Sequence, residues 1–150
     1  MNIQVRDGLP YVTVTLLYGG RQLELANVLL DTGSAGTLFA ADQVLAVGLQ
    51  YEADDPVQRI RGIGGAEFVF VKRIDRLSVG ELQVSDFAIE VGAMDYGFAI
   101  DGIIGTDFLL QVGALIDLSR LEIHRALFAD SRARESRADV EPTVGYSFPN

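Results

Sequence analysis

The residues best equipped for chemistry in this chain sit together as Asp31-Thr32-Gly33-Ser34. The apolar run Val28-Leu29-Leu30 leads straight into a bare carboxylate, and two hydroxyl residues flank the glycine behind it. A carboxylate at the tip of an apolar strand is costly to bury unless donors surround it. Gly33 lets the backbone turn sharply and bring an amide close to the acid. Thr32 and Ser34 supply hydroxyls. The pattern suits the presentation of a desolvated, hydrogen-bonded carboxylate at a surface. Alone, the same four residues also read as an ordinary strand-to-turn motif.

Two further stretches bear on that choice. Ile103-Ile104-Gly105 precedes a short helical pattern. Two apolar residues and a glycine can pack beneath a tight loop without filling its space, although in isolation they read as a strand ending at a turn. Gly62-Ile63-Gly64-Gly65 joins two apolar extended runs. So much glycine does not make a rigid turn, and a long hairpin with a flexible tip can close over a ligand. A phosphate loop fails here. The dinucleotide fingerprint needs glycine at its sixth position, which is Glu67, and no Gly-Lys-Ser/Thr follows.

The remaining polar residues suggest little chemistry. His124 is the single histidine and reads as a strand residue, not a ligand. Asp107 reads as a first-turn acid favoured by the helix dipole, and Asp101 as a turn residue. Asp54-Asp55-Pro56 reads as a loop without metal-ligand spacing. No metal or cofactor is expected. The absence of cysteine removes disulfides and thiolate metal sites and fits a reducing, cytoplasmic setting. The formal net charge of −9 repels phosphates and argues against nucleic acid as a partner. Asp or Gly interrupts the longest apolar stretches, so no membrane span is expected. The N-terminal "MNIQVRDGLP" lacks a secretory signal pattern.

These residues must be held by strands. Val12, Val14 and Leu16 alternate with Thr13 and Thr15, the period of a half-buried strand. Gly19-Gly20 marks a hairpin turn, and the return strand runs from about Gln22 to Leu30. A short helix is expected within residues 40–50, stopped at Gly48. Two extended runs occupy 57–77, and more short strands 77–92 with a turn at Gly80. Thr106 is placed to N-cap a helix over 107–111 that closes near Gly113. A hairpin-like pair of strands follows at 114–125. Many short strands with one or two short helices predict an all-β domain of barrel or sandwich type. Residues 1–125 form the expected domain. Residues 126–150 are polar and Arg-rich, an expected tail, part helix or disordered, whose end could pair as an edge or dimerisation strand.

Taken together and in this order, "LLDTGSAGTLF", "GIGG" and "DGIIGTDFLLQVGALIDLSRLEI" resemble the aspartic proteases of the retropepsin type, retroviral and bacterial. The resemblance covers about residues 10–125 and implies a closed, barrel-like acid-protease lobe. It implies that Asp31 is the catalytic aspartate, that Thr32 bonds across two catalytic loops, and that the Gly33 amide supports the carboxylate. Ser34 would donate to the outer oxygen of Asp31, lowering its pKa and giving an acidic optimum that Ser34→Ala shifts upward. Ile103, Ile104 and Gly105 become the scaffold beneath the loop. Gly62, Ile63, Gly64 and Gly65 become a flap over the substrate, with Leu38 in the cleft wall. The chain departs from the retroviral pattern where an Asp–Arg pair is usual, carrying Ala35 and Thr106 there.

The implied chemistry needs two carboxylates, and the sequence holds a single Asp-Thr/Ser-Gly triplet. A second aspartate must then come from another copy, which predicts a homodimer cleaving peptides with apolar side chains at the cut. The alternatives are a retropepsin-fold module that binds or scaffolds without cleaving, and a domain excised from a larger protein.

Overall fold

The computed structural model describes residues 1–62, 65–97 and 99–126. Ile63 and Gly64 of the glycine-rich tip, and residues 127–150 of the expected tail, lie outside them.

Among the described residues, ten strands and two helices follow one another as β1 (Gln4–Arg6), β2 (Leu9–Tyr18), β3 (Arg21–Leu30), β4 (Leu38–Ala40), α1 (Ala41–Val44), β5 (Val57–Gly62), β6 (Gly65–Val79), β7 (Leu82–Gly92), β8 (Gly102–Ile104), α2 (Thr106–Val112), β9 (Ala114–Asp117) and β10 (Glu122–Arg125). A single 3-10 turn, Leu45–Val47, extends α1 and ends at Gly48.

The alternation in β2 folds as the sequence dictates: Val12, Val14 and Leu16 are buried while Thr13 and Thr15 are half-buried. Gly19 and Gly20 both take positive φ, +57° and +77°, which matches the twist a tight hairpin needs. The hairpin therefore pairs Tyr18 with Arg21 and runs on to Tyr11 opposite Leu29.

Eight strands form one sheet in the order β1-β2-β3-β8-β4-β7-β6-β5, and β2 also pairs with β6. That last pairing, Leu16 with Leu77, closes β2-β3-β8-β4-β7-β6 into a ring. Closure leaves no open edge in the ring and traps a core of Val14, Leu16, Val28, Phe39, Leu77 and Ile104, all 0 % exposed. α2 plugs the ring with Phe108, whose ring meets Phe87 edge-on at 5.9 Å. The all-β, barrel-like expectation holds. The strands at 65–92 are long, however: β6 spans 15 residues and β7 spans 11, because each serves the barrel and the neighbouring hairpin.

The terminal hairpin forms as expected, with Ile123 opposite Ile116. The N-terminal residues add to its free edge: Ile3 N–H donates to Leu121 O at 2.7 Å, and Ile123 N–H to Met1 O at 2.9 Å. The beginning of the chain is thus strand-paired to β10 of the same chain.

Candidate active site

β3 alternates until Leu30, which is buried, and then releases Asp31, which is half-buried. Its neighbour here is β8, from the far end of the barrel. The two run parallel with Leu29 beside Ile103 and Leu30 beside Ile104. The ladder ends with Asp31 N–H donating to Ile104 O at 3.0 Å. Beyond that bond the chain turns. Gly33 N–H donates to Asp31 Oδ1 at 2.9 Å, and Ser34 N–H to Asp31 O at 3.2 Å. Thr32 and Gly33 stand exposed at the tip.

Gly105 explains why the loop sits so low on its support. A Cβ there would lie 2.2 Å from Gly36 O and 2.9 Å from Ser34 O, so only glycine allows this approach. Directly after it, Thr106 N–H and Oγ1 both donate to Ser34 O, at 2.8 Å and 3.1 Å. The Asp107 amide donates to Ala35 O at 3.3 Å. The Asp107 carboxylate accepts from Thr37 Oγ1 at 2.7 Å and from Thr37 N–H at 3.2 Å. Thr37, 0 % exposed, also accepts from Gly105 N–H at 3.1 Å. The segment from Asp31 to Thr37 is therefore stitched to 104–107 at Asp31, Ser34, Ala35 and Thr37.

Two expectations need correction. Ser34 does not donate to Asp31: its hydroxyl donates to Gly36 O at 2.8 Å, closing the turn on itself. Thr106 does not N-cap α2: the cap position is Gly105, and the Thr106 hydroxyl is drawn to Ser34 instead. Asp101 is more than a turn residue. Its carboxylate accepts from Asn27 N–H at 3.2 Å, and its backbone bridges Asn27 O to Ala40 N–H.

β5 and β6 form the long hairpin expected around the glycine-rich tip, paired up to Gly62 opposite Gly65. Near it, Tyr96 O–H donates to Glu67 Oε2 at 3.3 Å, linking the hairpin to the segment after β7. Burial, reinforced by the Glu67 charge, pushes the Tyr96 hydroxyl pKa up. Leu38, paired with Ile103 and Glu90, is 3 % exposed; Ile103 beside it is half-buried. A surface cavity of about 440 Å³ lies off the ends of β4 and β7, lined by Ala41, Asp42, Ala93, Met94 and Asp95.

The structure brings Asp31 and Gly33 together with Ile103–Gly105. Sequence reasoning missed Thr37 and the part played by Asp107, and it passed over Glu90, whose carboxyl group lies against Gly36. The only local signal was an acid two residues after Gly105.

No curated protein matches the chain. A family model described as aspartyl protease matches residues 12–108, a span that contains the Asp31 loop, the β5–β6 hairpin and the glycine motif that supports the loop. With that span and this geometry, the chain belongs to the aspartyl protease family.

Proposed function

We propose that this protein is an aspartic endopeptidase whose active site forms between two copies, each contributing Asp31. The observation that carries this reading is the support of one carboxylate at an exposed tip: Asp31 is fixed by Ile104 O and by Gly33 N–H, while the residues next to it remain open to solvent. Two such tips brought together would put carboxylates about 3 Å apart, where like charges cannot both ionise and one proton is shared. The ionised member takes a proton from a water held between them. The protonated member donates a hydrogen bond to the scissile carbonyl oxygen. The water oxygen attacks the carbonyl carbon directly, with no covalent enzyme intermediate. Exposed Thr32 is suited to bond across the two loops. The β5–β6 hairpin would cover an extended peptide bound by strand addition.

Cleavage of unfolded protein substrates at acidic pH by the full chain tests the reading. Asp31→Asn should abolish cleavage with an unchanged unfolding midpoint, and statine-type analogues should inhibit the wild type. Retained cleavage in that variant would remove the assignment.

A second reading is a binding or scaffold module of the same fold. It is favoured by the pairing of Met1–Ile3 with β10 of their own chain, which occupies a strand that could otherwise tie two copies together. A chain that stays monomeric and inactive would support it.

A further inference from the structure

Glu90 lies on β7 in register with Leu38, where β7 and β4 run parallel. Its amide donates to Thr37 O at 2.9 Å. Its carboxyl group fills the space that Gly36 leaves empty. A Cβ on Gly36 would sit 2.8 Å from Glu90 Oε1 and 3.1 Å from Oε2. The next residue, Thr37, is gripped by the Asp107 carboxylate. Consecutive residues of the Asp31 loop are thus lodged against two carboxyl groups, one from β7 and one from α2.

The charges around Glu90 are one-sided. On β7 its same-face neighbours are Ala88 and Gly92. Across from it on β6 is Val71, with Arg73 opposite Ala88. Arg73 is engaged with Asp86 at 2.8 Å. Farther along β6, Glu67 lies against Gly92 and adds another acid. The loop and β4 contribute Gly36, Thr37 and Leu38, all uncharged. α2 contributes Asp107. Among the described residues no cation forms an ion pair with Glu90. Burial, and then the Asp107 charge, push the Glu90 carboxyl up from its ordinary value.

We propose that Glu90 is a positioning residue for the Asp31 loop. Protonated, it seats beside Gly36 and holds Gly36–Thr37 in place; ionised, it is repelled by Asp107 and the loop loosens. A group that binds its proton more tightly in the folded chain stabilises the fold fully below its unfolded pKa. That contribution is lost as pH rises through the higher folded value. The loop therefore tightens on the acid side, where a dyad sharing one proton also works. The link to catalysis rests on Asp31 being catalytic; the link to loop stability does not.

Thermal unfolding and peptide cleavage of the full chain between pH 4 and pH 8 test this, comparing wild type with Glu90→Gln and Gly36→Ala. From pH 4 to pH 7 the wild type should lose about 3 °C in Tm relative to Glu90→Gln. The upper limb of the kcat profile of Glu90→Gln should move to higher pH by about half a unit. Gly36→Ala, whose methyl group displaces the carboxyl, should show the same flattened dependence of Tm on pH; a pH dependence like that of the wild type would count against the proposal. Parallel Tm curves for wild type and Glu90→Gln would overturn it. A Tm gap that opens with pH but leaves the kcat profile unmoved would overturn the positioning role. Absence of cleavage by the wild type would refute the reading of Asp31, and the unfolding curves alone would then decide the loop claim.

Discussion

Thr37 Oγ1 donates to Asp107 Oδ1 at 2.7 Å across 70 residues of chain. The same hydroxyl oxygen accepts from Gly105 N–H, so one buried side chain joins the loop that starts at Asp31 to the start of α2. A buried hydroxyl between two partners contributes mainly through what its removal leaves unpaired.

Thr37→Val keeps the shape but strands the Gly105 amide and takes one of two donors from Asp107 Oδ1, which keeps Phe108 N–H. It should cost about 2–4 kcal/mol of stability, measured by urea denaturation. Thr37→Ser, which keeps the oxygen, should recover most of the loss.

Gly105→Ala tests the close approach. Its methyl group would meet Gly36 O at 2.2 Å, and that oxygen belongs to backbone, which cannot swing aside. The substitution should cost about 3 kcal/mol or more and abolish cleavage. Near-wild-type stability would show that the loop can lift off its support.

Ser34→Ala removes the hydroxyl bond to Gly36 O and nothing from Asp31. It should cost about 1 kcal/mol and leave the acid limb of the activity profile in place. An upward shift of that limb would mean that the hydroxyl turns toward Asp31 in the working enzyme.

Lys72, buried on β6, binds Asp55 at 2.7 Å and Glu52 at 2.9 Å. Burial works to lower its pKa, but the two acidic partners prevail and raise it. The hydrogen bond from Lys72 is in turn the main cause that lowers the pKa of Asp55 below 3.8. A lowered carboxylate pKa stabilises above the unfolded value and ceases to as pH falls through the folded one. Asp55→Asn should therefore lower Tm at pH 7, with the deficit vanishing as pH falls through the lowered Asp55 pKa. A deficit constant with pH would assign the effect to packing.

Much of the site was legible because its parts carry local signals. An apolar strand ending in Asp31, a glycine at 33 and an apolar pair before Gly105 each constrain the backbone within a few residues. The hairpin at Gly19-Gly20 and the final strand pair are equally local. What escaped depends on register between distant segments. The parallel pairing of β3 with β8 decides which groups face one another across about 70 residues, and parallel pairing has no turn to announce it. Ser34 as a donor to Asp31 was implied by the family resemblance alone; the turn brings its hydroxyl onto Gly36 O instead. Thr106 has the composition of an N-cap, but the Ser34 carbonyl competes for its hydroxyl. The length of β6 was hidden because it pairs with β5, β7 and β2 in turn, and no single face stays buried throughout.

The central claim is that two copies meet at Asp31, and sedimentation equilibrium of the full chain at about pH 5 tests it most directly. Self-association to twice the 16.3 kDa chain mass, at the concentrations where peptide is cleaved, is the predicted result. A chain that cleaves peptide while remaining at 16.3 kDa would contradict the shared site.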